Sequence, residues 1–305
     1  MNLLAPADFV QSQEAMAACY SIPEAEAYTR WLATHHYENF HVVSFLLPKR
    51  LHQDFYTIYS FCRWADDLGD EIGDKQESLR LLAWWREQLE EMYRGKATHP
   101  VFVALRGAVD RHAIEKKPFA DLIRAFIQDQ TVSRYQNYEE LFEYCRYSAN
   151  PVGLLVLQLC GYTDPERRRL SDATCTALQL ANFWQDVTVD LEKDRIYIPL
   201  DVLQRHGSGV EEVFARKATP AFRAAMREVV DRAQELFEQG LPLTETVDRR
   251  LSLDLDLFSR GGMRVLGKIR ERHYDVLSGR PAISRGERVR LLFGAMARMA
   301  FRRAA

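Results

Sequence analysis

Two acidic stretches hold the residue types best suited to chemistry. The first is Phe61-Cys62-Arg63-Trp64-Ala65-Asp66-Asp67-Leu68-Gly69-Asp70-Glu71, with four carboxylates and one arginine in nine residues. The second closes the run Gln179-Leu180-Ala181-Asn182-Phe183-Trp184-Gln185-Asp186-Val187-Thr188-Val189-Asp190. In each, two aspartates stand four apart: Asp66 and Asp70, then Asp186 and Asp190. Residues so spaced share a helix face, one turn apart. Two carboxylates there repel unless a cation sits between them. Such oxygen donors suit Mg²⁺, which keeps several waters and binds carboxylates together with substrate phosphates. Either pair alone reads equally as a solvated acidic helix end; the repetition favours a metal.

Basic groups accompany both stretches. Arg63 stands one turn before Asp66, and Arg195 follows Asp190. Both are candidates to hold a diphosphate through charge-assisted hydrogen bonds. Gln179 and Asn182 are expected as buried amides that need polar partners, which a hydrated metal or a phosphate would supply. Neither stretch has a glycine-rich phosphate loop, which argues against an NTPase. Aromatic residues cluster beside both in the sequence: Phe40, Phe45, Tyr59, Phe61, Tyr144, Phe183 and Tyr197. Their π faces can stabilise a cation, although core packing is the default for any single ring. Metal-assisted loss of diphosphate into an apolar, aromatic-lined cavity leaves a carbocation, and that is isoprenoid chemistry. The histidines at 35, 36 and 41 match no closed zinc pattern. Ser148, Ala149 and Gly153 permit close approach by a ligand or, more plainly, by a packed helix.

The elements that must position these residues read as helices. Gly and Pro are sparse, at 15 and 11, and no β-alternating block, repeat or low-complexity segment stands out. Helices are expected over about 24–35, 50–71, 75–94, 99–112, 119–131, 138–147, 165–190, 220–239 and 246–278, with a short element near 201–206. The pair Gly261-Gly262 predicts a bend or a close helix contact. Residues 1–22 are expected to be irregular, with Pro6 and Pro23 as breakers. A last amphipathic helix, 284–305, carries six arginines and one glutamate by Arg303. It is expected to pack its apolar stripe on the core, the alternative being contact with an anionic membrane. The whole, 1–305, is expected to form one all-α domain.

A net charge of −2 gives no case for nucleic-acid binding. Five scattered cysteines suggest a reducing compartment and no cysteine zinc site. No signal peptide is apparent. The expectation is a cytoplasmic protein, with peripheral attachment to the inner face of the membrane as an option.

Taken together, these blocks resemble the squalene/phytoene synthases from about His36 to Arg280. The resemblance rests on Arg63 with Asp66-x-x-x-Asp70, on Tyr144-Cys145-x-x-Ser148-Ala149-x-Pro151-Val152-Gly153, and on Asp186-x-x-x-Asp190 with Gln179, Asn182, Arg195, Tyr197 and Pro199. It implies the helical isoprenoid (terpenoid) synthase fold with a central cavity. It also implies Mg²⁺ held by Asp66, Asp70, Asp186 and Asp190. An isoprenoid diphosphate would be handled by Arg63, Arg195, Tyr144, Gln179 and Asn182. Asn39, Phe40, Phe61, Ser148, Ala149, Gly153, Phe183, Tyr197 and, more loosely, Tyr274 would line the substrate. Glu38-Asn39-Phe40, the first acidic stretch and Asn182-Phe183-Trp184-Gln185-Asp186-Val187 are most similar to the hydroxysqualene synthase branch of bacterial hopanoid pathways. That branch implies presqualene diphosphate and water as substrates and no need of NADPH.

Two positions depart from the wider family. Asn39 stands where a serine is usual, and Gln185 where an arginine is usual. Both put in doubt a condensation that handles two diphosphates at once. The competing expectations are a head-to-head condensing synthase, making presqualene diphosphate, dehydrosqualene or phytoene, and an inactive helical homologue serving as a scaffold.

Overall fold

The structure, a computed structural model, describes residues 3–35 and 48–301; these are helical and contain no strand. Asn39, Phe40 and Phe45 lie outside the described residues. Two compact units emerge, each made of two chain segments: Met1–Thr131 with Pro151–Thr163, and Val132–Asn150 with Asp164–Ala305.

The first unit begins with α1 (Pro6–Gln11) and α2 (Gln13–Ala17), where irregular chain was expected. Pro6 starts a helix here, at the first-turn position where its missing N–H costs nothing. Ser12 ends α1 and caps α2, its Oγ accepting from the Ala15 N–H at 3.2 Å. Then come α3 (Ile22–His35), α4 (His52–Asp70), α5 (Lys75–Tyr93), α6 (Pro100–His112) and α7 (Lys117–Asp129). After α8 (Tyr138–Ser148), which belongs to the second unit, α9 (Asn150–Leu159) returns to the first.

Helix α4 is anchored along its inner face. Trp64 stacks on Trp85, rings 4.9 Å apart and 7° from parallel, and donates its Nε1–H to Tyr28 Oη at 3.1 Å. His99 meets both indoles edge-on. Burial pushes the His99 pKa down to about 3. The neutral ring accepts from the Val101 N–H at 3.3 Å and so caps α6. At the other end of α4, the buried Asp54 accepts from Arg111 and pairs with His112 Nε2 at 2.9 Å. These contacts fix the rotation of the helix that carries the first acidic stretch.

The second unit contains α8, α10 (Pro165–Gln185), α11 (Val187–Asp190), α12 (Leu200–Arg205), α13 (Val210–Phe214), α14 (Pro220–Gly240), α15 (Leu243–Thr246), α16 (Arg249–Glu271) and α17 (Arg285–Phe301). Helices α10, α14 and α16 approach through glycines. A Cβ on Gly240 would stand 2.1 Å from Thr174 Oγ1, and one on Gly262 would stand 2.2 Å from Phe237 Cζ. Gly262 thus serves close contact while Gly261 faces open space, and α16 runs through the pair unbroken.

Two long helices expected from the sequence are shorter here. The run 165–190 breaks at Asp186, whose backbone (φ −102°, ψ 13°) leaves the helix. The run 246–278 starts only after Asp248, which caps α16 by accepting from the Arg250 N–H at 2.9 Å. It stops at Glu271, before His273 and Tyr274 turn left-handed (φ 51° and 61°). The last helix also departs from expectation. On α17, Ala295 is buried and Leu291 half-buried, but Val289, Leu292 and Phe293 are exposed, so these three do not pack on the core. No helix among the described residues is long and apolar enough to cross a membrane.

Candidate active site

The first acidic stretch forms about the last three turns of α4, with Glu71 as its C-cap. Arg63 is the hub of its charges. Its Nη2 lies 2.6 Å from Asp67 Oδ1 and 3.0 Å from Glu71 Oε1, and its Nη1 lies 3.6 Å from Asp66 Oδ2. Asp67 is buried, and that burial lifts its pKa to about 7 against the pull of Arg63. The stretch therefore divides by role. Asp67 and Glu71 tie down the guanidinium, while Asp66 and Asp70, on the neighbouring face, remain accessible. The helix ends just beyond, where Gly69 leaves room for the Gln130 amide to donate to its carbonyl at 2.9 Å.

The second stretch sits at the break after α10. Its two aspartates stay one turn apart even so, because the Asp190 N–H donates to the Asp186 carbonyl at 2.9 Å. Arg280 grips the Asp186 carboxylate through Nε and through Nη2, the latter at 3.1 Å. Next to it, Gln185 Nε2 donates to the Pro281 carbonyl at 2.6 Å. The segment after α16 is thereby fastened to the motif. The sequence reading missed Arg280, which lies 94 residues from its partner. The half-buried Arg195 follows, with its N–H on the Asp190 carbonyl at 2.9 Å. Asn182 is exposed and Gln179 half-buried, so the expected pair of buried amides is not present.

Behind this motif lies a four-ring aromatic cluster. Phe183 and Tyr197 stack at 3.7 Å and 5°; Tyr144 lies 6.0 Å from Tyr197 and 6.2 Å from Phe183. Tyr135, not expected from the sequence, completes it at 5.4 Å from Tyr144 and 5.8 Å from Tyr197. All four are buried. Tyr144 comes from α8 and Phe183 from α10, while Tyr135 and Tyr197 come from two loops running side by side. Ile196 N–H donates to Ser133 O and Leu200 N–H to Tyr135 O, each at 3.0 Å. Arg134 also bonds the carboxylate of Asp194 at 2.7 Å, holding that left-handed residue (φ 55°) in place.

The remaining candidates fall elsewhere. Phe61 is fully buried among Trp85, Phe102 and Phe119, so its surroundings are core and not a ligand site. Ser148 and Ala149 end α8, with Ser148 Oγ buried and without a hydrogen-bond partner. Gly153 lies near the start of α9. Tyr274 lies beneath the Arg227 guanidinium, 5.2 Å from its ring centre, and not in the four-ring cluster.

Among the described residues, no three His, Cys, Asp or Glu side chains come together as a ready-made metal cage. Two aspartates per motif are nonetheless the donor set that suits Mg²⁺, which takes one or two carboxylates and fills its shell with water and phosphate oxygens.

Comparison with known proteins gives the arrangement a family. The profile of the family described as squalene/phytoene synthase matches residues 33–287. The chain is 34% identical to the hydroxysqualene synthase of Rhodopseudomonas palustris, over 88% of this chain and 91% of that one. It is 32% identical to the phytoene synthase of Thermus thermophilus, over 88% and 91%. Among solved structures, the squalene synthase HpnC of Alicyclobacillus acidocaldarius superposes with a TM-score of 0.80 at 43% identity, covering 83% of this chain and 96% of that one. A ligand-bound dehydrosqualene synthase gives 0.82 at 25% identity, covering 92% and 98%. The fold is thus the all-α fold of the isoprenoid synthases, as expected, and the chain is an enzyme belonging to the squalene/phytoene synthase family.

Proposed function

We propose that this enzyme converts presqualene diphosphate and water to hydroxysqualene and diphosphate, without NADPH. The family is settled by the comparisons above; the member is chosen on one observation. Where an arginine is usual in the wider family, Gln185 donates its amide N–H to the Pro281 carbonyl. That position therefore serves the fold and adds no positive charge for a second diphosphate.

In this reading, Asp66 with Asp70, and Asp186 with Asp190, are the carboxylates that would hold Mg²⁺ against diphosphate oxygens. The metal supplies positive charge that neutralises the leaving group. Arg63, already held in place by Asp67 and Glu71, presents its remaining N–H groups to the same oxygens. Arg280 and Arg195 do so beside the second motif. The carbon–oxygen bond to diphosphate breaks and leaves a cyclopropylcarbinyl cation, which rearranges. The faces of Tyr144, Phe183 and Tyr197 stabilise that cation. The oxygen of water then bonds to the cationic carbon and loses a proton to solvent. The product is an alcohol, so no hydride donor enters. Gln179 and Asn182 are assigned to water near the second motif.

The test is a product assay. Purified enzyme receives presqualene diphosphate and Mg²⁺ without NADPH, and the extract is read by mass spectrometry for hydroxysqualene. Turnover of farnesyl or geranylgeranyl diphosphate, with none of presqualene diphosphate, would refute the proposal in favour of a condensing synthase.

A further inference from the structure

Helix α17 is built inside out. Its inward face carries charge. Glu287 accepts from Arg264 Nε at 3.0 Å and lies 2.7 Å from Lys268 Nζ, both on α16. These bonds hold its pKa well below the usual carboxylate range. One face of the same helix is closed further along by Arg298, which donates to Asp256 Oδ2 at 2.6 Å, and by the buried Ala295. The outward face carries the large apolar side chains: Val289, Leu292 and Phe293, 52%, 38% and 65% exposed. Their i, i+3, i+4 spacing sets them on one stripe. At 100° per residue, Arg288 falls on one flank of that stripe, Arg290 on the other, and Arg285 at its N-terminal end. All three arginines are exposed.

A soluble surface does not arrange residues this way, because the inward salt bridges and the outward phenylalanine each invert the usual burial preference. The stripe is also narrow and edged by cations on both sides, while the whole chain is slightly acidic, at −2. A hydrophobic protein partner would explain the stripe but not its basic edges. A lipid surface explains both, since acyl chains take the apolar ridge and anionic headgroups take the arginines.

We propose that α17 docks flat on an anionic lipid bilayer, with Val289, Leu292 and Phe293 in the headgroup–acyl boundary and Arg285, Arg288 and Arg290 on lipid phosphates. The ion pairs to α16 keep the helix oriented, so the membrane meets a preformed ridge.

The experiment is co-sedimentation of the full chain with vesicles of phosphatidylcholine, with and without phosphatidylglycerol, at low and high salt. Binding is expected only with phosphatidylglycerol, and weakening with salt. Phe293→Ser is expected to cut the partition coefficient by at least about tenfold, from the lost burial of one aromatic side chain. Arg288→Gln with Arg290→Gln is expected to cut it roughly 25-fold, at about fivefold per arginine. These side chains are exposed, so all variants should melt with the parent. No binding to the anionic vesicles overturns the proposal. So does binding that both variants leave unchanged. A concentration-dependent dimer that Phe293→Ser abolishes, without vesicle binding, would assign the ridge to a second copy instead.

Discussion

Asp254 offers a quantitative test of how the second unit is built. It lies on α16, 1% exposed, and neither carboxylate oxygen has a hydrogen-bond partner. Burial lifts its pKa from 3.8 to about 8, and the charge of Asp248 adds to the rise. The folded chain therefore binds a proton here that the unfolded chain releases above about pH 4. Stability from this group is full below the unfolded pKa, falls as pH rises, and levels off above the folded pKa. The slope between the two is about 1.4 kcal/mol per pH unit. From about pH 5 to about pH 7 the parent should lose about 2.7 kcal/mol through this group. That equals about 4 °C in Tm if the whole chain melts cooperatively. Asp254→Asn keeps the shape and cannot ionise, so it removes the loss. Thermal or denaturant melts of parent and variant across this range isolate the effect, because all other titrations cancel in the difference. The variant should gain on the parent steadily as pH rises. A difference that does not change with pH would show that Asp254 is not buried and unpartnered as described.

Other outcomes follow from the same structure. Asp66→Asn and Asp186→Asn should each lower turnover by at least about a hundredfold, since a lost metal ligand weakens the charge on the leaving group. Circular dichroism should show unchanged helix content, and activity surviving both would remove the metal assignment. Arg280→Gln should lower kcat/KM by roughly tenfold or more, through loss of a charge-assisted hydrogen bond; an unchanged value would make Arg280 a purely structural partner of Asp186. Gly262→Ala should cost about 1–3 kcal/mol in a melt, because its Cβ would collide with Phe237 and press on Leu178.

Much of this was legible in the sequence, and the gaps have physical causes. Helix α4 was placed to within about two residues, because its apolar periodicity is unbroken and Gly73 (φ 79°) follows its end. The break at Asp186 was not legible. No glycine or proline marks it, and the hydrogen bond from Asp190 to Asp186 preserves the spacing of the motif. Arg280 was hidden because its contact with Asp186 spans 94 residues and depends on the left-handed turn at His273 and Tyr274. Tyr135 was missed because it sits in a loop joined to Ile196–Leu200 by only a few backbone bonds, which carry no periodic signal. The stripe on α17 was legible as apolar, but its direction was not. The ion pairs of Glu287 and Arg298 with α16 set the direction, and only the partners on α16 reveal it.

The glycine contacts between α10, α14 and α16 also govern how the site is held. Thr174 sits over Gly240 and Phe237 over Gly262 with no space for even a methyl group. Packing this close does not absorb displacement; it passes it on. Helix α10 is thus clamped over its middle, where Thr174 meets Gly240 and Leu178 meets Gly262, like a beam set in a wall. Beyond Gln185 the kink at Asp186 and the left-handed corner at Asp194 are held instead by hydrogen bonds and ion pairs, from Arg280 and Arg134. The second acidic motif is a polar-tethered tip on a close-packed mount, so substitutions in the mount should act on stability and substitutions in the tip on turnover.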